Sequence, residues 1–410
     1  MTSPTHQIVV FGATSFVGEI LTRYLFERHG ADGAALRWAI AGRSQAKLAA
    51  LRESLGAGAA RLPMLLADAA DEASLAALCK STGVVVSTVG PYALYGSPLV
   101  KVCAESGTDY CDLTGEVQWI SKMIAEHEAA AKKSGARIVH CCGFDSIPSD
   151  LGVHFLQREA QKRLGGPCTQ VKLRIKKLRG GVSGGTVASL MNVMREVARD
   201  PALRKLMADP YAICPPAKAA RPRQPNVMFT EYDEDAKSWL APFVMAAINT
   251  RIVQRSNATS GNSYGSGFLY DEAMMTGAGV KGVAAAAATS LGLGGFVAAA
   301  ALPPTRWLLE NYVVPKPGEG PSPEAQLKGC YDFRFFGSTA DGGRMVVKLT
   351  GDRDPGYGST AKILGEAAVC LALDTPKSKV GGGFWTPATA MGDRLIARLV
   401  EHAGLTFEVL

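Results

Sequence analysis

QIVVFGATSFVG, residues 7–18, is the stretch from which the fold is predicted. Residues 7–11 are an apolar run typical of a buried strand, residues 12–18 form a glycine-bearing turn, and an amphipathic helix follows from Glu19. In this order the turn presents backbone N–H groups and the positive end of the helix dipole to a phosphate. A dinucleotide pyrophosphate is therefore expected to contact Gly12, Thr14, Ser15, Phe16, Val17 and Gly18.

The end of the second predicted strand indicates which dinucleotide binds. Residues 36–41 (LRWAIA) are followed, after one glycine, by Arg43 and Ser44. An NAD site usually has Asp or Glu at this point, bonding the ribose 2′-hydroxyl, whereas a cation and a hydroxyl suit a 2′-phosphate. Arg43 and Ser44 therefore predict NADP(H) as the cofactor. Asp68, which ends the third predicted strand, is expected to contact the adenine side of the cofactor.

Strands and helices alternate through the first 150 residues, which predicts an α/β fold with a Rossmann-type, doubly wound parallel sheet. The pattern changes after Asp150, where residues 331–336 and 344–350 have the character of paired strands joined by a turn. A second, α+β domain with a mixed or antiparallel sheet is therefore expected. We assign 1–150 to the NADP-binding domain, 151–372 to a substrate and oligomerisation domain, and 373–410 to a C-terminal segment.

The loop after the fourth predicted strand lies at the carboxyl edge of the sheet, where ligands bind in folds of this kind. Val89, Gly90 and Pro91 allow the backbone to approach the nicotinamide closely. Tyr92 is the expected proton donor of this loop, and Tyr95 is an expected substrate contact. The alternative is that both tyrosines only pack the junction between the domains.

The loop after the sixth predicted strand, CGFDSIPSD (142–150), follows the same edge of the sheet. Its Asp145 is a second candidate proton donor, and its Ser146 is a candidate substrate contact. The alternative is a crossover into the second domain in which these residues only cap a helix.

GVSGG at 181–185 matches the G-x-S-x-G pattern of serine hydrolases and lies between a predicted strand and a predicted helix. A hydrolase also needs an acid and a histidine, and the only histidine after the serine is His402, near the end of the chain. A serine hydrolase acting through Ser183 is therefore a remote alternative. We favour a helix N-terminus at which Ser183 and Thr186 hold an anionic or carbonyl oxygen of the substrate.

Composition and charge exclude several classes of partner. The net charge of +7 is small for 410 residues and scattered, so nucleic acid is not an expected partner. The nine cysteines include no C-x-x-C pair, and no cluster of His, Asp and Glu has the spacing of metal ligands. We therefore expect reduced thiols, no metal and a cytoplasmic location.

Residues 278–302 (AGVKGVAAAAATSLGLGGFVAAAAL) are nearly uncharged and long enough to span a bilayer, although Ala and Gly drive insertion only weakly. Three alternatives stay open: a packed helical hairpin, a surface that touches membrane or lipid, and a true span. Arg306 and Trp307 lie just beyond and suit a membrane interface. Outward-facing strand residues would add attraction, namely Lys172, Arg174 and Lys176. We expect reversible membrane contact, with the interface of a homodimer as the competing interpretation.

A set of motifs is spread over nearly the whole chain: FGATSFVG (11–18), AGRS (41–44), STVGPYALYG (87–96), DYCDLTGE (109–116), CCGFDSIPSDLG (141–152), SGGTVASL (183–190) and GGGFWTPATAMGD (381–393). Together they resemble the saccharopine dehydrogenase-like oxidoreductases, in particular the branch that includes trans-acting enoyl reductases of bacterial lipid synthesis. The resemblance implies a Rossmann domain, use of NADP(H), a second domain with an oligomer interface, and a C-terminal segment that returns to the first domain.

The resemblance also implies an activity. It points to an NADP(H)-dependent oxidoreductase but leaves the substrate open. We expect a homodimer that reduces a C=C or C=O bond, and the apolar stretch 278–302 favours a lipid-like or acyl small molecule as its substrate. The alternatives are an amino-acid dehydrogenase of the saccharopine type and an NADP(H)-binding scaffold protein without turnover. Saccharopine itself is disfavoured, because its several carboxylates would call for more arginines in the second domain than the sequence places there.

Overall fold

The computed structural model describes residues 4–180, 184–217, 219–309 and 320–410. The chain forms two compact units, and each is assembled from segments that are separated in sequence. The first unit contains Met1–Phe144, Gly318–Gly320 and Gly356–Ala403. The second unit contains Asp145–Pro317, Pro321–Pro355 and Gly404–Leu410.

The first unit begins with alternating strands and helices. These are β1 (His6–Phe11), α1 (Phe16–His29), β2 (Trp38–Gly42), α2 (Gln45–Ser54), β3 (Met64–Leu66), α3 (Glu72–Ser81), β4 (Thr82–Ser87), α4 (Tyr92–Tyr95), α5 (Ser97–Ser106), β5 (Asp109–Asp112), α6 (Val117–Ser134) and β6 (Arg137–Val139). Three of the helices begin where a polar side chain accepts a free backbone N–H group. The capping residues are Ser15, Ser44 and Asp71.

The second unit follows along the chain. Its elements are α7 (Ile147–Arg163), β7 (Gln170–Arg179), α8 (Gly184–Arg199), α9 (Pro201–Ala208), β8 (Glu231–Asp233), β9 (Ser238–Pro242), α10 (Ala246–Thr259), β10 (Leu269–Gly277), α11 (Gly279–Ala301), α12 (Pro303–Leu308), α13 (Pro323–Lys328), β11 (Cys330–Ser338) and β12 (Arg344–Gly351). The chain then returns to the first unit with α14 (Thr360–Val369), β13 (Gly383–Trp385), α15 (Pro387–Ala390) and α16 (Asp393–His402). The last strand, β14 (Leu405–Val409), belongs to the second unit.

The sheet of the first unit is entirely parallel, with strand order β13-β6-β5-β4-β1-β2-β3. The apolar run of β1 is fully buried at Ile8, Val9 and Val10. β1 pairs with β2 on one side and with β4 on the other, so the direction of winding reverses beside β1. Such a switch point is where open α/β sheets bind ligands at the carboxyl ends of their strands. The predicted fold class is confirmed.

The sheet of the second unit is mixed, with strand order β14-β12-β11-β7-β10-β9-β8. Only the β7–β10 pair is parallel. The predicted hairpin is confirmed, because β11 and β12 pair in antiparallel register from Tyr331↔Gly351 to Ser338↔Arg344. Buried residues alternate with partly exposed ones along β11, as expected for a strand with one face in the core.

Two elements depart from the division of the chain expected from the sequence. α14 lies in the first unit although it falls within 151–372, and β14 pairs with β12 of the second unit although it falls within 373–410. β13 does join the first sheet beside β6, with Phe384 opposite Ile138. These placements depend on pairing between distant segments, which local sequence patterns do not report.

The three basic residues of β7 that were expected to face outward differ in exposure: Lys176 is exposed, Lys172 is half-buried and Arg174 is buried. Arg174 is buried, its Nε lies 2.8 Å from Asp233 Oδ2, and its Nη1 lies 2.6 Å from Asp271 Oδ2. Lys172 is half-buried and pairs with Asp235 at 2.7 Å. The expectation that these residues all face solvent is therefore wrong for Arg174, because carboxylates on β8 and β10 neutralise its charge inside the sheet layer.

The apolar segment forms one continuous helix, α11, so the hairpin alternative is wrong. The most apolar 18-residue window within 279–300 has a mean hydropathy of 1.7, and only 11% of that window is buried. Length and composition would allow this helix to cross a membrane. Leu291 is 76% exposed, and the smaller side chains around it are mostly Ala and Gly. The exposure disfavours a place in the core and leaves a membrane or a partner surface as the alternatives.

A buried ion pair ties the C-terminal part of the first unit to the amino edge of its sheet. Arg137, at the start of β6, donates from Nε to Asp109 Oδ2 at 3.1 Å, and both side chains are buried. The same guanidinium donates to the carbonyl oxygen of Leu371 at 2.9 Å and to that of Thr375. Without the guanidinium, Asp109 Oδ2 would lose its buried partner, and only Lys377 at 3.2 Å and the Arg137 N–H at 2.9 Å would remain, both on Oδ1.

Arg137→Met is therefore expected to lower the free energy of unfolding by about 3–5 kcal/mol, because Asp109 stays buried and the 371–375 backbone loses its donors. Urea denaturation followed by circular dichroism measures the change. Lys101→Met is the matched control, since Lys101 pairs with Glu72 on the surface and exposed pairs contribute little. A native-like midpoint for Arg137→Met would contradict the anchoring role.

Candidate functional site

The loops after β1 and β4 meet at the switch point of the first sheet. Gly12 has φ of +84°, and a Cβ there would lie 2.6 Å from Val89 Cγ2 and 2.9 Å from Thr88 Oγ1. Only glycine fits this conformation and this approach. Thr88 Oγ1 donates to Gly12 O at 2.9 Å, and Ser15 Oγ donates to Thr88 Oγ1 at 3.0 Å. The two loops are thus held as one rigid edge.

The N-terminus of α1 has the donors that a pyrophosphate requires. Ser15 accepts the N–H of Gly18 on its side chain at 3.0 Å, so its hydroxyl caps the helix. Among the described residues, neither Phe16 nor Val17 has a backbone acceptor for its N–H group. A Cβ on Gly18 would lie 2.2 Å from Gly12 O, so this glycine is needed for the turn to close. Two free N–H groups at a helix start fit a phosphate.

The residues expected to hold the adenosine end follow β2 and β3 of the same sheet. Arg43 is exposed, and no carboxylate in the described part of the chain forms an ion pair with it. Ser44 begins α2 and accepts the N–H of Lys47 at 3.4 Å. Asp68 is half-buried, and its Oδ1 accepts the N–H of Ala70 at 3.0 Å. An exposed guanidinium beside a helix start fits a 2′-phosphate.

Tyr92 and Tyr95 lie on the short helix α4, but only Tyr95 faces solvent. Tyr92 is buried, and its hydroxyl donates to Ser87 O at 3.0 Å. Burial raises the pKa of Tyr92 well above its ordinary value, with the nearby carboxylate of Asp112 adding to the effect. The side chain of Tyr95 is 49% exposed. The phenol proton of Tyr92 is thus engaged with the backbone, whereas Tyr95 is accessible.

Asp112, His140 and Glu116 were not singled out by the sequence. Asp112 ends β5, accepts the N–H groups of Thr114 and Cys141 on Oδ1, and contacts His140 Nδ1 through Oδ2 at 2.7 Å. Asp112, Glu116 and His140 are all buried. Asp112 and Glu116 both lie in DYCDLTGE (109–116), which continues from β5 at the carboxyl edge of the sheet. Their role could not be predicted from residue spacing, because a buried carboxylate that binds backbone N–H groups has no partner at a fixed separation in the sequence.

Asp145 and Ser146 begin the second unit. Asp145 is half-buried, and desolvation raises the pKa of its carboxyl to about 6. Ser146 is buried and donates to Asn249 Oδ1 at 2.9 Å, and Asn249 in turn donates to Glu272 Oε2 at 2.9 Å. Burial also raises the pKa of Glu272 to about 7, while Tyr270 donates to its other oxygen at 2.6 Å. Ser146 therefore belongs to a buried polar network.

The remaining predicted contacts are only partly described. Ser183 lies outside the described residues, and Thr186 lies on α8, where its side chain is not described. Within the described ranges, no group of three or more His, Cys, Asp or Glu side chains could hold a metal ion. The predicted cofactor contacts of the first unit, by contrast, lie together at one edge of one sheet.

A parallel doubly wound sheet with a glycine turn, a capped helix and an exposed arginine after β2 defines a dinucleotide-binding fold of the Rossmann class. Residues 8–139 match the family described as the saccharopine dehydrogenase NADP binding domain. Over its full length the chain resembles the apo, histidine-tagged saccharopine dehydrogenase (L-Glu forming) of Saccharomyces cerevisiae, with a TM-score of 0.53 at 13% identity. That likeness covers 99% of this chain and 100% of the yeast chain and shows the shared fold.

Relatives of higher identity identify the branch. A Mycobacterium tuberculosis protein that carries the name trans-acting enoyl reductase provisionally is 42% identical over 410 residues, covering 98% of this chain and 96% of the relative. The trans-acting enoyl reductase of Mycobacterium bovis is 39% identical over 406 residues, covering 96% and 95%. That of Mycobacterium ulcerans is 38% identical, covering 96% of each. The chain belongs to the saccharopine dehydrogenase-like oxidoreductase family, in the trans-acting enoyl reductase branch, and is an NADP(H)-dependent oxidoreductase.

Arg43→Asp is expected to weaken NADPH binding by about 10- to 100-fold, because a charge-assisted contact with the 2′-phosphate is replaced by repulsion. Calorimetric titration with NADPH and NADH measures both affinities. NADH binding should change little, so the preference for NADPH should fall or invert. Arg61→Asp changes the net charge equally at an exposed position and serves as the control. Tighter binding of NADH than of NADPH by the native protein would contradict the assignment.

Proposed function

We propose that the protein reduces the C=C bond of an acyl, lipid-like substrate with NADPH. The observation that carries the proposal is similarity over 96–98% of the chain to proteins named trans-acting enoyl reductases. An enoyl group is a C=C bond conjugated with a carbonyl, so its β-carbon accepts a hydride. The NADP-binding edge of the parallel sheet supports a hydride-transfer step. The proposal adds that the substrate is an acyl or lipid-like molecule.

The chemistry divides between cofactor and protein. Reduction adds a hydride to the β-carbon and a proton to the α-carbon of the enoyl group. NADPH, when bound, supplies the hydride. The protein has to orient the substrate and supply the proton from an acid that still carries it near working pH.

Asp145 is the better supported proton donor, and Tyr92 is the second candidate. With a pKa of about 6, the Asp145 carboxyl keeps its proton to a higher pH than an ordinary aspartate. Tyr92 also keeps its proton, but its hydroxyl donates to Ser87 O, and that bond would have to break before transfer. Exposed Tyr95 is a proposed substrate contact. The other proposed contacts are Ser146, Ser183 and Thr186.

NADPH consumption with a panel of α,β-unsaturated acyl thioesters tests the proposal. Asp145→Asn is expected to lower kcat/KM by about 10²–10⁴-fold, the usual contribution of a general acid. A donor with a pKa of about 6 is protonated below that pH, so the native rate should fall as pH rises through 6. The Asn variant should lack this decline. Tyr92→Phe is the comparison, and native rates in both variants would contradict both assignments.

The alternatives give different outcomes in the same assay. Oxidation of an amino-acid adduct with NADP⁺, without enoyl reduction, would indicate a dehydrogenase of the saccharopine type. Tight NADPH binding without consumption across enoyl and keto compounds would indicate a scaffold protein. Labelling by a fluorophosphonate probe that is lost in Ser183→Ala would indicate the serine hydrolase.

We further propose that α11 makes reversible contact with a membrane, from which a lipid-like substrate is taken. Leu291 is mostly exposed on α11, and Ser290 Oγ lies 3.4 Å from Thr230 Oγ1 on a neighbouring loop. Met228 and Phe229 precede Thr230 and are also mostly exposed. A surface of this composition suits contact at the interface more than a span, because Ala and Gly contribute little apolar area. The interface of a homodimer is the competing interpretation.

Flotation with vesicles that contain phosphatidylglycerol tests the contact. Leu291→Asp is expected to reduce the floated fraction by about tenfold, because a carboxylate at this position opposes insertion. Val400→Asp is the matched control, since Val400 is also exposed but lies on α16 of the first unit. No flotation of the native protein, together with a dimer that Leu291→Asp converts to a monomer, would replace the membrane contact with a subunit interface.

A further inference from the structure

Glu116 makes two hydrogen bonds that fix the start of α4. Its Oε1 accepts the N–H of Tyr92 at 2.8 Å, and its Oε2 accepts the N–H of Ala93 at 2.9 Å. The first N–H groups of a helix have no intrahelical acceptor, and α4 is only four residues long. Glu116 is 2% exposed, so these charge-assisted bonds form away from bulk water. One buried carboxylate thus accepts hydrogen bonds from the first two backbone N–H groups of α4.

The segment that carries Glu116 is itself rigid. Glu116 donates its N–H to Thr114 Oγ1 at 3.1 Å, and Thr114 donates its N–H to Asp112 Oδ1 at 3.1 Å. Asp112 belongs to β5, so this chain of bonds connects the carboxylate to the sheet. The backbone of Glu116 is therefore fixed relative to β5.

Trp119, nearly one helical turn beyond Glu116, supports the other end of the loop. Its ring centroid lies 5.4 Å from that of Tyr92, and its Nε1 donates to Ser97 Oγ at 3.0 Å. A Cβ on Gly96 would lie 2.6 Å from Trp119 Cζ2 and 2.9 Å from Tyr92 O. Glu116 and Trp119 together hold the loop 88–96 at its middle and at its end.

The opposite side of this loop faces the glycine turn. Val89 approaches Gly12 closely, and Thr88 is bonded to Ser15. The adenosine half of a dinucleotide lies on the β2–β3 side of the switch point, so the nicotinamide half lies on the β4 side. The conformation of 88–96 therefore determines the surface on which the nicotinamide rests.

We propose that Glu116 is a positioning residue that fixes the loop 88–96 against the nicotinamide half of NADP(H). The inference rests on the proposed function, because it takes the β4 side as the reacting side of the cofactor. It accounts for the acidic end of DYCDLTGE, a motif to which the reduction chemistry assigns no role. Glu116 acts through the backbone N–H groups of Tyr92 and Ala93, to which its side chain is bonded.

Two ligands separate the halves of the cofactor. NADPH contains the nicotinamide, and adenosine 2′,5′-bisphosphate contains only the adenosine half with the 2′-phosphate. In Glu116→Gln one acceptor oxygen becomes an NH₂ group, which faces a backbone N–H and repels it. We expect NADPH to bind about tenfold more weakly, because the loss is that of one charge-assisted bond, and the bisphosphate to bind as it does to the native protein. Calorimetry measures both.

Glu128→Gln is the matched control, on α6, the helix that Glu116 directly precedes. Glu128 Oε2 also accepts a backbone N–H, that of Phe384 at 3.2 Å, but it lies three turns further along α6. Both ligands should bind this variant as they bind the native protein. Arg43→Asp should weaken both ligands, which separates loss of the 2′-phosphate contact from loss of the nicotinamide surface.

Gly96→Ala is a second variant that leaves the carboxylate in place. Its Cβ would displace the loop from Trp119, so the same selective loss of NADPH affinity is expected even if Glu116→Gln fails to fold. Native NADPH affinity in a folded Glu116→Gln, or equal weakening of both ligands, would overturn the inference. If Glu116→Gln loses affinity for NADPH alone, and the native protein reduces no enoyl or keto compound, the positioning role would be supported and the proposed reduction would be contradicted.

Discussion

The close approach of Gly12 to the end of β4 is the constraint on which the site depends. A side chain at Gly12 would collide with Val89 and Thr88, so the backbone of the first turn touches the loop that follows β4. The Thr88 hydroxyl joins the two loops by donating to Gly12 O. A phosphate bound at the start of α1 and a nicotinamide bound beside 88–96, as proposed above, would then be held at a fixed separation, which would preorganise the site for one dinucleotide.

Buried carboxylates in the first unit act differently at the two edges of its sheet. At the carboxyl edge, Asp112 and Glu116 accept backbone N–H groups, so their charge shapes the loops that border the cofactor. At the amino edge, Asp109 pairs with Arg137, whose guanidinium also holds the 371–375 backbone. Burying charge is costly unless bonds compensate it. At the carboxyl edge the compensating bonds fix the loops of the proposed site, and at the amino edge they attach the distant 371–375 segment.

Local sequence patterns were sufficient for the parts of the fold that are local. The strand, turn and helix at 7–18 and the β11–β12 hairpin follow from periodicity and turn residues. The placements of α14 and β14 do not follow, because each depends on contacts with residues far away in sequence. The environment of Tyr92 could not be predicted for the same reason. No sequence pattern indicates that its hydroxyl binds Ser87 O or that its backbone N–H binds Glu116. The burial of Arg174 could not be predicted either. The alternation of apolar and basic residues along β7 gives no sign of the buried carboxylates on β8 and β10 that pair with Arg174.

The exposed face of α11 illustrates how composition limits what a surface can do. Each alanine offers one methyl group, worth about 0.8 kcal/mol when buried, and each glycine none, compared with the ~1.5–3 kcal/mol available from a Leu or Phe. The apolar contribution is therefore concentrated in a few side chains, among them Leu291 and Phe229, and substitution at Leu291 should matter more than substitution at any alanine. A contact of that strength would suit the reversible membrane binding proposed above, in which the protein releases the membrane after taking up a substrate.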